Sequence, residues 1–195
     1  MTVEKRAIRR RVLIDTRRVN GDDVPAISGY GAVFYREDEP ETEFRLWDDM
    51  VERIAPTAFD EIEGRDVRSM FNHEPDLLLG RTTNGTLELS VDDIGLRYRV
   101  TPPDTQAGRD VRELVRRGDV DGSSFMFEVT GEEFEKRDGV VYRTITRVNL
   151  YEVGPVTFPA YEATTSEARA NRPNVPQLFE PGELSVKRKR LYLLS

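Results

Sequence analysis

Residues 117–127, Arg-Gly-Asp-Val-Asp-Gly-Ser-Ser-Phe-Met-Phe, change character part-way along. Up to Gly118 the pattern is an amphipathic helix coming to its stop; from Ser123 it is an apolar strand with two hydroxyls at its mouth. Upstream, Asp104 to Arg117 reads as the one long helix, with Asp104 or Thr105 as its cap and Val111, Leu114 and Val115 as its apolar stripe. Downstream, 123–130, 140–148 and 150–156 read as strands, with Arg137-Asp138-Gly139 as a hairpin turn. The adjacent serines have two readings. Either they decorate a strand, or one of them is a nucleophile on a rigid sheet.

Working outward, residues 11–18 and about 26–34 form a predicted hairpin around Asn20-Gly21, a pair that tolerates positive φ. Gly29 and Gly31 inside the return strand point to a bulge or to another chain segment passing close. Residues 36–45 are acidic and turn-rich, a predicted surface loop. Residues 50–54 read as a strand, and Pro56 opens a short helix over 57–62. A strand over 67–73 delivers His73 at its far end. Short strands follow at 77–81, 86–91 and 96–100, the last two alternating with period two. About ten short strands, one long and one short helix predict a mainly β (α+β) fold, a closed or half-closed and mostly antiparallel barrel with helices outside it.

Composition bounds what such a fold can do. The chain has 195 residues and a net charge of -7, distributed unevenly. Residues 1–18 carry +5, residues 170–195 carry +3, and the body between them is strongly acidic. The expected organisation is a basic N-terminal arm over 1–10, a barrel domain over 11–161 and a flexible C-terminal tail over 162–195. The basic ends read as solvated tails or as docking points for an acidic partner. No stretch is apolar enough for a membrane span, and the first residues lack the apolar run of a signal peptide. A soluble intracellular protein is expected. The absence of cysteine removes disulfides, thiolate metal sites and a cysteine nucleophile. No phosphate-binding glycine loop occurs, and the basic C-terminus lacks the aromatic interleaving of a single-strand binder. No cofactor is expected.

A serine hydroxyl is inert near neutral pH unless a base lies within hydrogen-bond reach. The chain has a single histidine, His73, so only it can serve either serine as an imidazole base. A third group should orient that imidazole. Glu152 is a candidate, because a carboxylate among Leu150, Tyr151, Val153 and Val156 is costly to bury without a partner. Facing solvent from the strand is its other reading. A metal hydrolase using His73, Glu74 and Asp76 is the rival chemistry, although the spacing matches no common zinc motif.

Six short blocks in order carry a resemblance over roughly residues 28–169. They are Gly29-Tyr-Gly-Ala-Val-Phe34, Ile54-Ala-Pro-Thr-Ala-Phe59, Phe71-Asn-His-Glu-Pro75 with Leu79-Gly-Arg-Thr82, Asp104-Thr with Gly108-Arg-Asp-Val111, Arg117 through Phe125, and Glu152-Val-Gly-Pro-Val-Thr-Phe-Pro-Ala-Tyr161. The chain resembles the prohead maturation proteases of tailed phages, serine peptidases related in fold to herpesvirus assemblins. The resemblance implies Ser124 as nucleophile, His73 as base and Glu152 as third member. Herpesvirus relatives use a second histidine in the third role, which this chain lacks. Ser123 stands where the family usually has Met, and Gly154 where Ser is common; alternation places 123 and 124 on opposite faces, so only one can reach His73.

The implied task is endoproteolysis inside an assembling prohead in the host cytoplasm. The implied substrates and partners are the major capsid protein with its scaffolding segment, the portal protein, the chain itself by autocleavage, and further copies of the chain. Neither membrane nor nucleic acid is among them. A non-catalytic capsid-assembly or scaffold protein on the same barrel is the alternative.

Overall fold

In the computed structural model of the chain, residues 3–8, 10–159 and 175–176 are described. The strands in chain order are β1 (Val3–Ile8), β2 (Leu13–Val19), β3 (Asp22–Val33), β4 (Phe44–Trp47), β5 (Met50–Ile54), β6 (Arg68–Met70), β7 (Leu78–Arg81), β8 (Leu87–Val91), β9 (Gly95–Val100), β10 (Gly122–Arg137) and β11 (Val140–Val156). The helix α1 (Gln106–Arg117) lies between β9 and β10. One sheet runs β1-β10-β11-β5-β4, with β6 pairing β11 and β7 pairing β6; the other runs β2-β3-β9-β8.

The long hairpin β10–β11 is the spine. Its turn is Asp138-Gly139, both at positive φ, which suits the twist of a two-residue connection. The outer edge of β11 is shared: β5 pairs parallel to its first half through Val141–Ile145, and β6 meets it at Glu152. The pairing is mostly antiparallel, as expected, with these two parallel contacts as exceptions. Among the described residues the strands form a 7-stranded and a 4-stranded sheet, neither of which closes on itself, and one α-helix flanks them.

Alternation along β10 divides its residues between two surroundings. Ser123, Phe125 and Phe127 point into the core between the sheets. Phe125 and Phe127 stack with centroids 4.5 Å apart, Phe59 meets Phe125 edge-on at 6.0 Å, and Phe34 continues the chain at 6.2 Å from Phe59. Each such buried side chain contributes roughly 1.5–3 kcal/mol of apolar transfer. Ser124 sits on the opposite face. The helix α1 closes one side of this core with Val111 and Val115. The Thr105 side chain caps its N-terminus by accepting from the Gly108 N–H, and Gly118 at φ 83° ends it.

Several segments differ from the sequence reading for physical reasons. Residues 1–10, set apart as a basic arm by their charge, contribute β1, which pairs antiparallel with β10. The Glu-rich stretch 131–137 is strand, paired with Val140–Arg147 of β11, with Glu132, Glu133 and Glu135 exposed. Residues 44–45, the end of the expected loop, belong to β4, which pairs with β5. The helix expected at 57–62 is a 3-10 turn over Pro56–Phe59. The strand expected to reach His73 stops at Met70. The C-terminal segment expected to be a flexible tail lies outside the described residues apart from 175–176.

Gly31 marks a close approach of the two sheets. The β3–β9 register shifts at this point, the predicted bulge, and a Cβ on Gly31 would stand 2.4 Å from Val153 Cγ2 on β11. Gly31→Ala is expected to destabilise the fold by about 1–3 kcal/mol through overpacking. Urea unfolding checks this: a lowered midpoint is expected, and an unchanged midpoint contradicts the close packing.

Candidate active site

The β10–β11 register pairs Ser124 with Gly154 and Met126 with Glu152. Ser124 and Glu152 therefore share a face as diagonal neighbours, a spacing of about 7–8 Å between backbone positions. An imidazole lying between them spans the gap. His73 Nε2 is 2.7 Å from Ser124 Oγ, and His73 Nδ1 is 2.5 Å from Glu152 Oε2. All three residues singled out in the sequence are thus brought into one hydrogen-bonded chain.

His73 reaches this place from a tight turn, not from a strand end. Asn72 and His73 have φ of 55° and 61°, and the Glu74 N–H donates to the Phe71 carbonyl across them. Two successive positive φ values make the pattern of a type I′ turn, which asparagine tolerates and histidine seldom adopts. Such residues cost of order 1–3 kcal/mol each and persist only where the surroundings over-determine them. Asn72 supplies that restraint. Its N–H donates to the Pro155 carbonyl, its Nδ2 to Thr157 Oγ1, and its Oδ1 accepts from the Thr157 N–H, all at 2.8–3.1 Å. The turn is pinned to the end of the strand that carries Glu152.

Glu152 is 2% exposed, so the partnered reading of this carboxylate is the one realised. Oε1 accepts from the Met70 N–H at 3.2 Å while Oε2 faces His73. Gly154 makes this possible: a Cβ there would stand 2.2 Å from the Met70 carbonyl oxygen, so the glycine lets β6 approach and hold Glu152.

Ser123 is fully buried on the other face. Its Oγ lies 3.0 Å from the hydroxyl of Tyr98, whose own titration is pushed far upward by burial. This pair bridges the two sheets and is remote from the imidazole. Ser124 has a second partner: its Oγ donates to the Arg6 carbonyl at 2.8 Å. The surrounding cleft, about 330 Å³, is lined by residues that include Lys5, Ala7, Val156, Thr157 and Phe158. A larger groove near Phe59, Ile62 and Leu89 contains none of the three residues.

A hydroxyl, an imidazole and a buried carboxylate in this order can perform nucleophilic attack with general-base assistance. Both ring nitrogens of His73 are engaged within the chain, and no group of three or more His, Asp or Glu among the described residues is arranged to hold a metal ion. No helix among the described residues is long and apolar enough to cross a membrane.

The family model described as caudovirus prohead serine protease matches residues 13–176. The chain belongs to this family. No curated protein matches it. Among solved structures it is similar to the capsid assembly protease of bacteriophage T4, at 10% sequence identity and a TM-score of 0.41, over 80% of this chain and 99% of that one.

Two contributors in this prohead protease family member were not singled out from sequence. Asn72 had a readable signal, since asparagine is enriched at positive φ. Arg6 had none, lying in a segment whose only visible feature was charge. The clamp on the His73 turn is testable by proton NMR, because one histidine leaves no ambiguity of assignment. A far-downfield imidazole N–H resonance from the short His73–Glu152 contact is expected in the native protein and in Ser123→Ala, and its loss is expected in Asn72→Ala. Persistence in Asn72→Ala contradicts the clamp.

Proposed function

We propose that this protein is a serine endopeptidase in which Ser124 is the nucleophile, His73 the general base and acid, and Glu152 the group that orients the imidazole. The observation that carries the reading is the unbroken hydrogen-bond chain from Glu152 through His73 to Ser124. Ser124 Oγ attacks the scissile carbonyl carbon as its proton passes to His73 Nε2. Nδ1–H stays directed at Glu152, which stabilises the imidazolium that forms. The tetrahedral adduct collapses, His73 returns the proton to the leaving amine, and an acyl-enzyme remains on Ser124. Water, deprotonated by His73, then hydrolyses the ester and regenerates the serine.

The family and the site support the proposed substrate class. A cleft lined by residues 5–7 and 156–158 suits an extended peptide. The proposed substrates are the major capsid protein, cut to release its scaffolding segment, and the protease itself, inside the immature head in the host cytoplasm; the portal protein is a further candidate. Autocleavage is assigned to the segment 162–186, rich in Glu, Pro, Asn and Ser, which apart from 175–176 lies outside the described residues. The basic run at 187–190 with the apolar residues after it would dock the protease on capsid or scaffold protein. The third role falls to a carboxylate because no second histidine exists in the chain.

Co-expression with the neighbouring capsid protein, reading fragment masses, tests this. Ser124→Ala and His73→Ala are each expected to lower processing by about 10⁴-fold or more, and Glu152→Gln by about 10³–10⁴-fold through a misoriented, poorly stabilised imidazolium. Ser123→Ala retains processing, and chelators leave it unchanged. Loss of activity in Ser123→Ala with retention in Ser124→Ala would reverse the assignment. Uncut capsid protein with the wild-type chain favours the scaffold alternative.

A further inference from the structure

Strand β1 lies outside residues 13–176, the part that matches the family model, yet it reaches the nucleophile. Its pairing with β10 sets Ala7 opposite Ser124 and Arg6 opposite Phe125, and the Arg6 carbonyl accepts the Ser124 hydroxyl. The side chain of the same residue is anchored in the interior. Arg6 Nε donates to Glu52 Oε1 at 2.6 Å and Arg6 Nη2 to Glu52 Oε2 at 2.9 Å, a two-point grip on a carboxylate with no exposed surface. Glu52 also accepts from Arg143, whose side chain is 3% exposed and which reaches Glu4 and Glu132 with its other nitrogens. Burial opposes the Arg143 charge, but its hydrogen bond to Glu4 and the charges of Glu52 and Glu4 outweigh it and push its titration upward.

The energetics decide whether β1 is a mobile cover or a fixed wall. Lifting β1 removes Arg6 and Glu4 from the cluster and leaves buried charge on Glu52 and Arg143 with fewer partners, which costs about 3–5 kcal/mol. The strand therefore stays, and the Arg6 carbonyl is a permanent acceptor. A serine side chain otherwise has three staggered positions for its hydroxyl. The hydroxyl has one proton, so the Arg6 carbonyl and His73 Nε2, 2.8 Å and 2.7 Å from Oγ, compete for it; both are reached from one staggered position of Oγ, and from there the proton turns from the carbonyl to the imidazole as the serine attacks.

We propose that Arg6 is a positioning residue for the nucleophile: its buried grip on Glu52 fixes the β1 backbone, and its carbonyl holds the Ser124 hydroxyl within reach of His73. This rests on the reading of Ser124 as the nucleophile. The guanidinium acts from the interior through the backbone, so its loss alters the reactivity of the serine more than the affinity of the cleft. The grip also gives the basic residues of the N-terminal segment a function that their net charge does not reveal.

The test is the rate of covalent labelling by a fluorophosphonate, on the full chain, separated into inactivation rate and binding constant. In Arg6→Met the inactivation rate is expected to fall about 10–100-fold, as for a misplaced reacting group, with the binding constant within about twofold. Arg6→Lys keeps a charge against Glu52 but loses the two-point grip; it is expected to fold and to show a smaller fall of the same kind, which keeps the test decisive if Arg6→Met is unfolded. Glu132→Gln, which loosens Arg143 without touching Arg6, is expected to label at the native rate. Native labelling in folded Arg6 variants, weaker binding at an unchanged rate, or an equal fall in Glu132→Gln overturns the proposal. Failure of the wild-type chain to label at all overturns the serine-nucleophile reading beneath it.

Discussion

The β10–β11 register is the constraint on which the site depends. In a strand pair the side chains alternate faces, so a slip of one residue would turn Ser124 into the core and bring Ser123 out to the imidazole. Three features resist that slip. Phe125 and Phe127 lock one face into the aromatic core. Ser123 is tied to Tyr98 of the opposite sheet. Gly31 and Gly154 admit neighbouring segments only where no Cβ intervenes, at Val153 and at the Met70 carbonyl respectively. The packing that stabilises the fold is therefore the same packing that sets the distance from Ser124 to Glu152.

Onto this frame the chain adds one strained element, the Asn72–His73 turn. Strain of this kind must be offset by local contacts, and the hydrogen bonds of Asn72 to Pro155 and Thr157 connect the turn to the far end of the strand bearing Glu152. The base and its orienting carboxylate are thereby coupled twice, once through the imidazole and once through the backbone. A second buried network, built on Arg143 and Glu52, holds β1 against the other side of the nucleophile. Charge is buried on both sides of Ser124, and in each case it is partnered.

Much of this was legible in the sequence because the signals were local. Alternation separated Ser123 from Ser124, a single histidine left one imidazole base, and an acid inside an apolar run called for a partner. The helix 106–117 announced itself by its apolar stripe and by Gly118. What was not legible depended on long-range pairing. Nothing in residues 3–8 distinguishes an edge strand from a basic tail, because the residues that make it a strand, Glu52 and Arg143, lie far along the chain. The Glu-rich end of β10 hid in the same way, its acids exposed along the strand. The expectation of a barrel rested on strand count and on the family resemblance, and strand count does not determine whether a sheet closes.

The central claim is that Ser124, and not its neighbour, is the reactive hydroxyl in a chain that passes through His73 to Glu152. Mass mapping of the peptide modified by a fluorophosphonate tests it most directly, since both serines lie in one peptide and fragmentation separates them. The account predicts a single adduct on Ser124 that is absent after His73→Ala. An adduct on Ser123, or one on Ser124 that forms equally well without His73, would contradict it.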